Sequence, residues 1–197
     1  MTDLQQTFSR IREEHVAAIR VRSARAVLGS SVIRVFHPGT KDPLLNKLAS
    51  LKIQSLNSIR SQASFRTEFE EQLDQVHSTV RRLNVGNDRI HPGGKWGHCT
   101  KVLCLYLREI VLHSRLLPDS VVTRIQRYLY VPIDAIVLKE VKRAGVEIPF
   151  RRIKDVATAQ DFYSLQEILG DAARRERVPR IWFDDVWAVR DGGVPDV

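Results

Sequence analysis

Residues 91–134 read HPGGKWGHCTKVLCLYLREIVLHSRLLPDSVVTRIQRYLYVPID, and the chain on either side is organised around them. The stretch opens on a glycine-rich turn, Pro92, Gly93, Gly94 and Gly97. The turn leads into Lys101 at the head of an apolar helical pattern, Val102, Leu103, Leu105 and Leu107. It closes on Val131-Pro132-Ile133, a proline-led step that delivers Asp134 to the start of the next helix. Glycines let backbone N–H groups approach a phosphate closely, and a helix N-terminus behind them adds positive potential. A lysine and a carboxylate brought together over such a turn make a nucleophile and its partner. Each residue also has a plainer reading alone. Asp134, after a proline and before a helical pattern, has the form of an N-cap, and Lys95, inside the turn, competes with Lys101.

Outward from this stretch the periodicity is helical. Residues 3–28 carry Phe8, Ile11, His15, Ala18 and Ile19 at helical spacing. Gly29-Ser30-Ser31 and His37-Pro38-Gly39 then flank a β-branched run, Val32 to Phe36, which suits either an extended crossing or a buried helical turn. A helix is expected over 44–60, with Leu44, Leu45, Leu48, Leu51, Leu56 and Ile59 mostly on one face. The clearest pattern is 64–83, where Phe65, Phe69, Leu73, Val76, Val80 and Leu83 form a stripe. Ser64 suits its N-cap, with acids early and Arg81 and Arg82 late.

After a coil over 84–95 and the central stretch, an added helix is expected over 119–129. Beyond Asp134 the pattern Ile136, Val137, Glu140 and Val141 stops at Gly145. Arg151-Arg152-Ile153-Lys154 is a basic link, and Thr158 with Asp161 forms a capping box before Phe162, Leu165, Ile168 and Leu169. The tail carries Trp182, Phe183 and Trp187. The expected class is all-α: a single domain over 1–197, a helical bundle in one or two lobes. Its parts are N-terminal helices (1–90), a central core (91–146) and C-terminal helices with a Trp-rich tail (147–197).

The chain has 197 residues and a net charge of +8, and 23 of its 31 basic residues are arginine. Such a balance points to a polyanionic partner, and arginine's planar fork suits phosphate. Double-stranded DNA is the expected partner. No apolar run approaches the ~20 residues of a membrane span and none resembles a signal peptide, so a cytoplasmic, nucleoid-associated monomer is expected. Cys99 and Cys104 fall on different sides of one helix, against a disulfide. His77, His91, His98, Cys99 and Cys104 lack metal-ligand spacing, so neither metal nor other cofactor is expected.

Gly97-His98-Cys99-Thr100-Lys101-Val102 and Val131-Pro132-Ile133-Asp134 resemble the hairpin end and aspartate step of the helix–hairpin–helix DNA glycosylases, a superfamily including endonuclease III and the 8-oxoguanine DNA glycosylases. The resemblance covers about 91–146. It implies a helix–hairpin–helix bundle that excises a damaged or modified base, with AP-lyase capacity. It matches Lys101 to the nucleophile of the bifunctional members and Asp134 to the catalytic aspartate. Departures are Cys99 where the family has a second hairpin glycine, a 33-residue separation from Lys101 to Asp134, and no cysteine cluster for iron–sulfur.

On this basis Gly93, Gly94, Lys95, Gly97, Thr100, Arg151 and Arg152 are expected to contact DNA. Trp96, Tyr106, Phe150, Trp182 and Trp187 are candidates to line the pocket for a flipped base. Gly97→Ala is expected to weaken DNA binding without unfolding the chain. The alternatives are a catalytically silent helix–hairpin–helix binding module and a helical subunit of a bacterial or phage-defence assembly.

Overall fold

The computed structural model describes residues 3–83 and 95–190, and among them there is no strand. The α-helices are α1 (Asp3–Val27), α2 (Ser30–Ile33), α3 (Lys41–Ser50), α4 (Gln62–Leu83), α5 (Trp96–Arg108), α6 (Asp119–Ile125), α7 (Ala135–Arg143), α8 (Ala159–Glu176) and α9 (Trp182–Arg190). The class is all-α, as the periodicity predicts.

The stripe on α4 buries Phe65, Phe69, Leu73, Val76 and Val80, while Glu71, Asp74, Arg81 and Arg82 face solvent. Its cap lies earlier than Ser64. Ser61 Oγ accepts from the Ser64 N–H at 3.1 Å, and Ser64 Oγ accepts from the Ser61 N–H at 3.1 Å, a reciprocal box that starts the helix at Gln62. Phe69 stacks on Phe162 of α8 with centroids 5.7 Å apart, and Tyr130 meets both rings edge-on. This aromatic cluster joins α4 to α8 and to the segment leading into α7.

Helix α5 is the central element: Cys99, Val102, Leu103, Cys104, Tyr106 and Leu107 are all buried, and a π-helical turn over Glu109–His113 continues it with Ile110 and Val111 buried. Gly97 lies inside this helix, on its packed side. A Cβ there would stand 2.5 Å from the carbonyl oxygen of Val156 and 2.6 Å from that of Ile153. Only glycine lets α5 approach the 153–156 backbone this closely.

The chain departs from the expected pattern in two further places. The helix expected over 44–60 is interrupted at Leu51-Lys52, with a 3-10 segment over Ile53–Ser58. The carbonyls freed by the break find long-range donors: Arg20 donates to Leu51 O, and Gln72 Nε2 reaches Lys52 O at 3.5 Å. On α1, Phe8 and Ile11 are exposed and burial begins at Ile19, so the core-facing part of α1 is its C-terminal half. The Val32–Phe36 run is a helical turn in α2 followed by a bend that buries Phe36.

Candidate functional site

Asp134 is delivered by an extended segment that has no ladder of its own and is held by side chains. The buried Gln166 of α8 accepts from the Val131 N–H through Oε1 at 3.0 Å and donates from Nε2 to the Val131 carbonyl at 2.8 Å. Just upstream, the buried Arg180 donates from Nε to Leu129 O at 2.8 Å and from Nη2 to Tyr128 O at 2.7 Å. Anchored this way, Asp134 adopts an extended backbone and caps α7. Its Oδ1 accepts from the N–H groups of Ile136 (2.9 Å) and Val137 (3.0 Å). The cap occupies one oxygen only. Oδ2 accepts from Lys101 Nζ at 3.1 Å, and both side chains remain 25% exposed.

Lys101 and Asp134 line one cleft of about 430 Å³. Its other walls are mostly apolar: Val32 in α2, Val35 and Phe36 after it, Ala135 and Ile136 at the start of α7, and Ile153, with Ser31 and the cation Arg34 also on the lining. His98 meets Phe36 edge-on at 6.2 Å between centroids and also faces the cleft. The cleft is thus a part-buried ammonium–carboxylate pair in a largely hydrophobic slot that a further cation, Arg34, also lines. The geometry suits a ligand with a flat apolar part and a site of developing positive charge.

A second carboxylate feels the charges of the pair. Asp184 of α9 receives Arg108 Nη1 at 2.7 Å, and Arg108 also pairs with Asp185. The Asp184 side chain is only 13% exposed. Burial pushes its carboxyl up to about 6, outweighing the opposing pull of Arg108; the Asp134 charge adds to the rise and Lys101 opposes it. Asp184 therefore lies in the electrostatic field of the Lys101–Asp134 pair, a relationship that sequence spacing did not reveal.

The other expected site residues divide. Lys95 heads α5 with φ 59°, in the left-handed region, and its ammonium is 6.0 Å from the Phe36 ring; burial lowers its pKa. The lysine paired with Asp134 is Lys101. Arg151 and Arg152 are exposed beside Ile153, which lines the cleft, and their backbone N–H groups both donate to Asp155 Oδ2 at 2.9 Å.

Thr100 is buried and its hydroxyl donates to the Gly97 carbonyl at 2.7 Å. Gly97 packs against the 153–156 backbone, which is one reason for glycine at this position. Tyr106 is fully buried in the core, Trp96 packs edge-on against Phe162 at 5.9 Å, and Phe150 leans on the core. Trp182 is 46% exposed. None of these four aromatic residues lines the cleft; Phe36 takes that place. Gly93 and Gly94 fall outside the described residues, as does the side chain of Trp187.

Cys99 and Cys104 are both buried free thiols, and burial pushes that of Cys99 up to about 12. Among the described residues no three His, Cys, Asp or Glu side chains converge as a metal site, and no helix is long and apolar enough to cross a membrane. Comparison of the chain with protein-family models, with curated proteins and with solved structures found no match.

Proposed function

We propose that this protein is a DNA glycosylase with AP-lyase activity, of the helix–hairpin–helix type, in which Lys101 attacks the sugar of a flipped nucleotide and Asp134 assists. The observation that carries the proposal is the 3.1 Å contact between Lys101 Nζ and Asp134 Oδ2 inside a largely apolar cleft. The net charge of +8 supports a polyanionic substrate, and the setting is a monomer on cytoplasmic duplex DNA, in repair or in defence against foreign DNA.

The chemistry balances as follows. Lys101 gives a proton to Asp134 Oδ2, and the freed amine attacks C1′ of the extruded nucleotide. The C1′–N bond to the base breaks, and the base leaves with the bonding electron pair and takes up the proton from Asp134. As that proton leaves, the restored carboxylate faces the positive charge that develops at C1′ while the C1′–N bond breaks. The C1′–O4′ bond then breaks, O4′ takes a proton from the ammonium nitrogen, and a protonated Schiff base is left on Lys101. The Asp134 carboxylate takes a C2′ proton, the C2′=C3′ double bond forms, and the C3′–O bond breaks with its electron pair leaving on the 3′-phosphate. Phe36, Val35 and Ile136 offer the apolar wall against which a flipped base stacks.

Borohydride reduction in the presence of duplexes carrying modified or damaged bases tests this directly. A covalent protein–DNA adduct is expected with the wild-type chain and none with Lys101→Gln. An adduct that persists in Lys101→Gln moves the nucleophile elsewhere. If neither excision nor adduct appears across a broad panel of bases, the protein is a silent binding module. One observation favours that second reading: Asp134 already has a structural task as the cap of α7.

A further inference from the structure

A second cavity, of about 390 Å³, opens at the C-terminal end of α8 and shares no lining residue with the Lys101–Asp134 cleft. Four arginines line it: Arg127 after α6, Arg174 and Arg177 at the end of α8, and Arg180 before α9. Gly170 forms part of its floor. A Cβ built there would lie 3.5 Å from Arg174 Nη1 and 3.6 Å from Arg180 Nη1, so those two cations stand within about 7 Å of each other.

The site is short of negative charge. Arg174 pairs with Asp171, but Arg180 is buried and its partners are neutral: the carbonyls of Leu129, Gln166 and Tyr128, the Gln62 amide oxygen and the Tyr130 ring. Among the described residues neither Arg127 nor Arg177 has a carboxylate within ion-pair distance, and both are exposed. Burial, with the Arg174 charge adding to it, lowers the Arg180 guanidinium to about 10.

Arginines at a helix C-terminus complement the macrodipole, which accounts for Arg174. It does not account for Arg127, which comes from another element, or for a buried guanidinium held among like charges. Repulsion of this kind is relieved by a bound anion, and the fork geometry of arginine suits tetrahedral oxyanions through paired N–H···O bonds.

We propose that this cavity is a phosphate-binding site, taking a phosphate presented either by a nucleic-acid strand or by a free polyphosphate. Arg180 is the fixed floor: four of its five N–H donors are engaged by protein. Arg127 and Arg177 are the gripping pair. The site does not depend on the chemistry of Lys101, so it stands or falls separately from the glycosylase proposal.

The test compares wild-type protein with Arg127→Gln/Arg177→Gln, and with Arg22→Gln/Arg25→Gln on α1, which removes the same charge from residues outside the cavity. Calorimetric titration with inorganic tripolyphosphate at fixed ionic strength should show binding to wild type and to the α1 variant. The cavity variant should bind about tenfold more weakly or worse, the scale of losing a charge-assisted hydrogen bond. In parallel, the slope of log affinity against log salt is measured on one duplex. A slope shallower by about 1 in the cavity variant than in the α1 variant makes the source a strand phosphate, and equal slopes make it a free anion. Absence of tripolyphosphate binding to wild type, or equal loss in both variants, overturns the proposal. Tripolyphosphate should also raise the melting temperature of the wild-type protein, a readout that needs no variant.

Discussion

Gln166 grips Val131 by both of that residue's backbone groups, at 3.0 Å and 2.8 Å, three residues before Asp134. A side-chain amide reproduces here what a neighbouring strand would supply, and the extended segment can be buried without leaving its N–H and C=O unsatisfied. Gln166→Leu keeps the volume and removes both partners. The expected cost is about 2–4 kcal/mol by denaturant unfolding, from two buried backbone groups left unpaired. If Asp134 acts in chemistry, the variant should also lose turnover at saturating substrate, since its anchor has slackened. A stability loss below about 0.5 kcal/mol, within the range of ordinary surface substitutions, would show that the segment is held by packing alone.

The helical class was legible because long stripes such as that of α4 are unambiguous, and the Asp134 cap was legible from its proline-led approach. The break at Leu51-Lys52 was not, because no glycine or proline marks it. It exists because Arg20, 31 residues earlier, and Gln72, 20 residues later, supply donors to the freed carbonyls. The aromatic residue of the cleft was not legible for a related reason. Phe36 belongs to a five-residue run whose conformation local sequence leaves open, while the tryptophans drew attention by residue type. Gln166 carried a signal: it is a polar residue beside the apolar stripe Phe162, Leu165 and Leu169, and such a residue, if buried, needs a partner.

Gly97→Ala tests the packing role of that glycine. The methyl would meet two backbone carbonyls, neither of which can swing aside as a side-chain end would. The expected result is destabilisation of about 1–3 kcal/mol, the range for overpacking a close contact, with displacement of the 153–156 turn. Weakened DNA binding with an unchanged melting temperature would favour the phosphate-cradle reading.

Asp184 predicts a pH dependence of stability. Its carboxyl is raised to about 6 in the folded chain by burial, from an ordinary value of 3.8. Between those values the folded state binds more protons than the unfolded one, so stability falls as pH rises from about 4 to 6 and levels off above. The contribution is on the order of 1–3 kcal/mol. The charged neighbours acting on the group are Arg108, Asp134, Asp185 and Lys101. Asp184→Asn, which cannot ionise, should flatten this part of the profile. A profile that keeps its full slope in Asp184→Asn would place the titration on another group.

The most discriminating variant is Asp134→Asn, because the two oxygens of Asp134 do different things. Oδ1 caps α7, and asparagine caps helices about as well as aspartate. Oδ2 holds Lys101 at 3.1 Å, and an amide can offer that ammonium either an N–H that repels it or an oxygen withdrawn from the cap. Stability should therefore fall by no more than about 1 kcal/mol, a shift of roughly 2–4 °C for a chain of this length. A catalytic carboxylate predicts a much larger effect on rate, ~2–4 kcal/mol of transition-state stabilisation, or about 30- to 1000-fold in single-turnover excision. Both quantities are read on one purified variant, using a substrate from the borohydride panel. A lowered melting temperature with unchanged excision would leave Asp134 as a cap, with its contact to Lys101 a part-exposed ion pair of the kind that contributes little. A rate collapse with near-normal melting is the pattern a helix cap alone cannot produce.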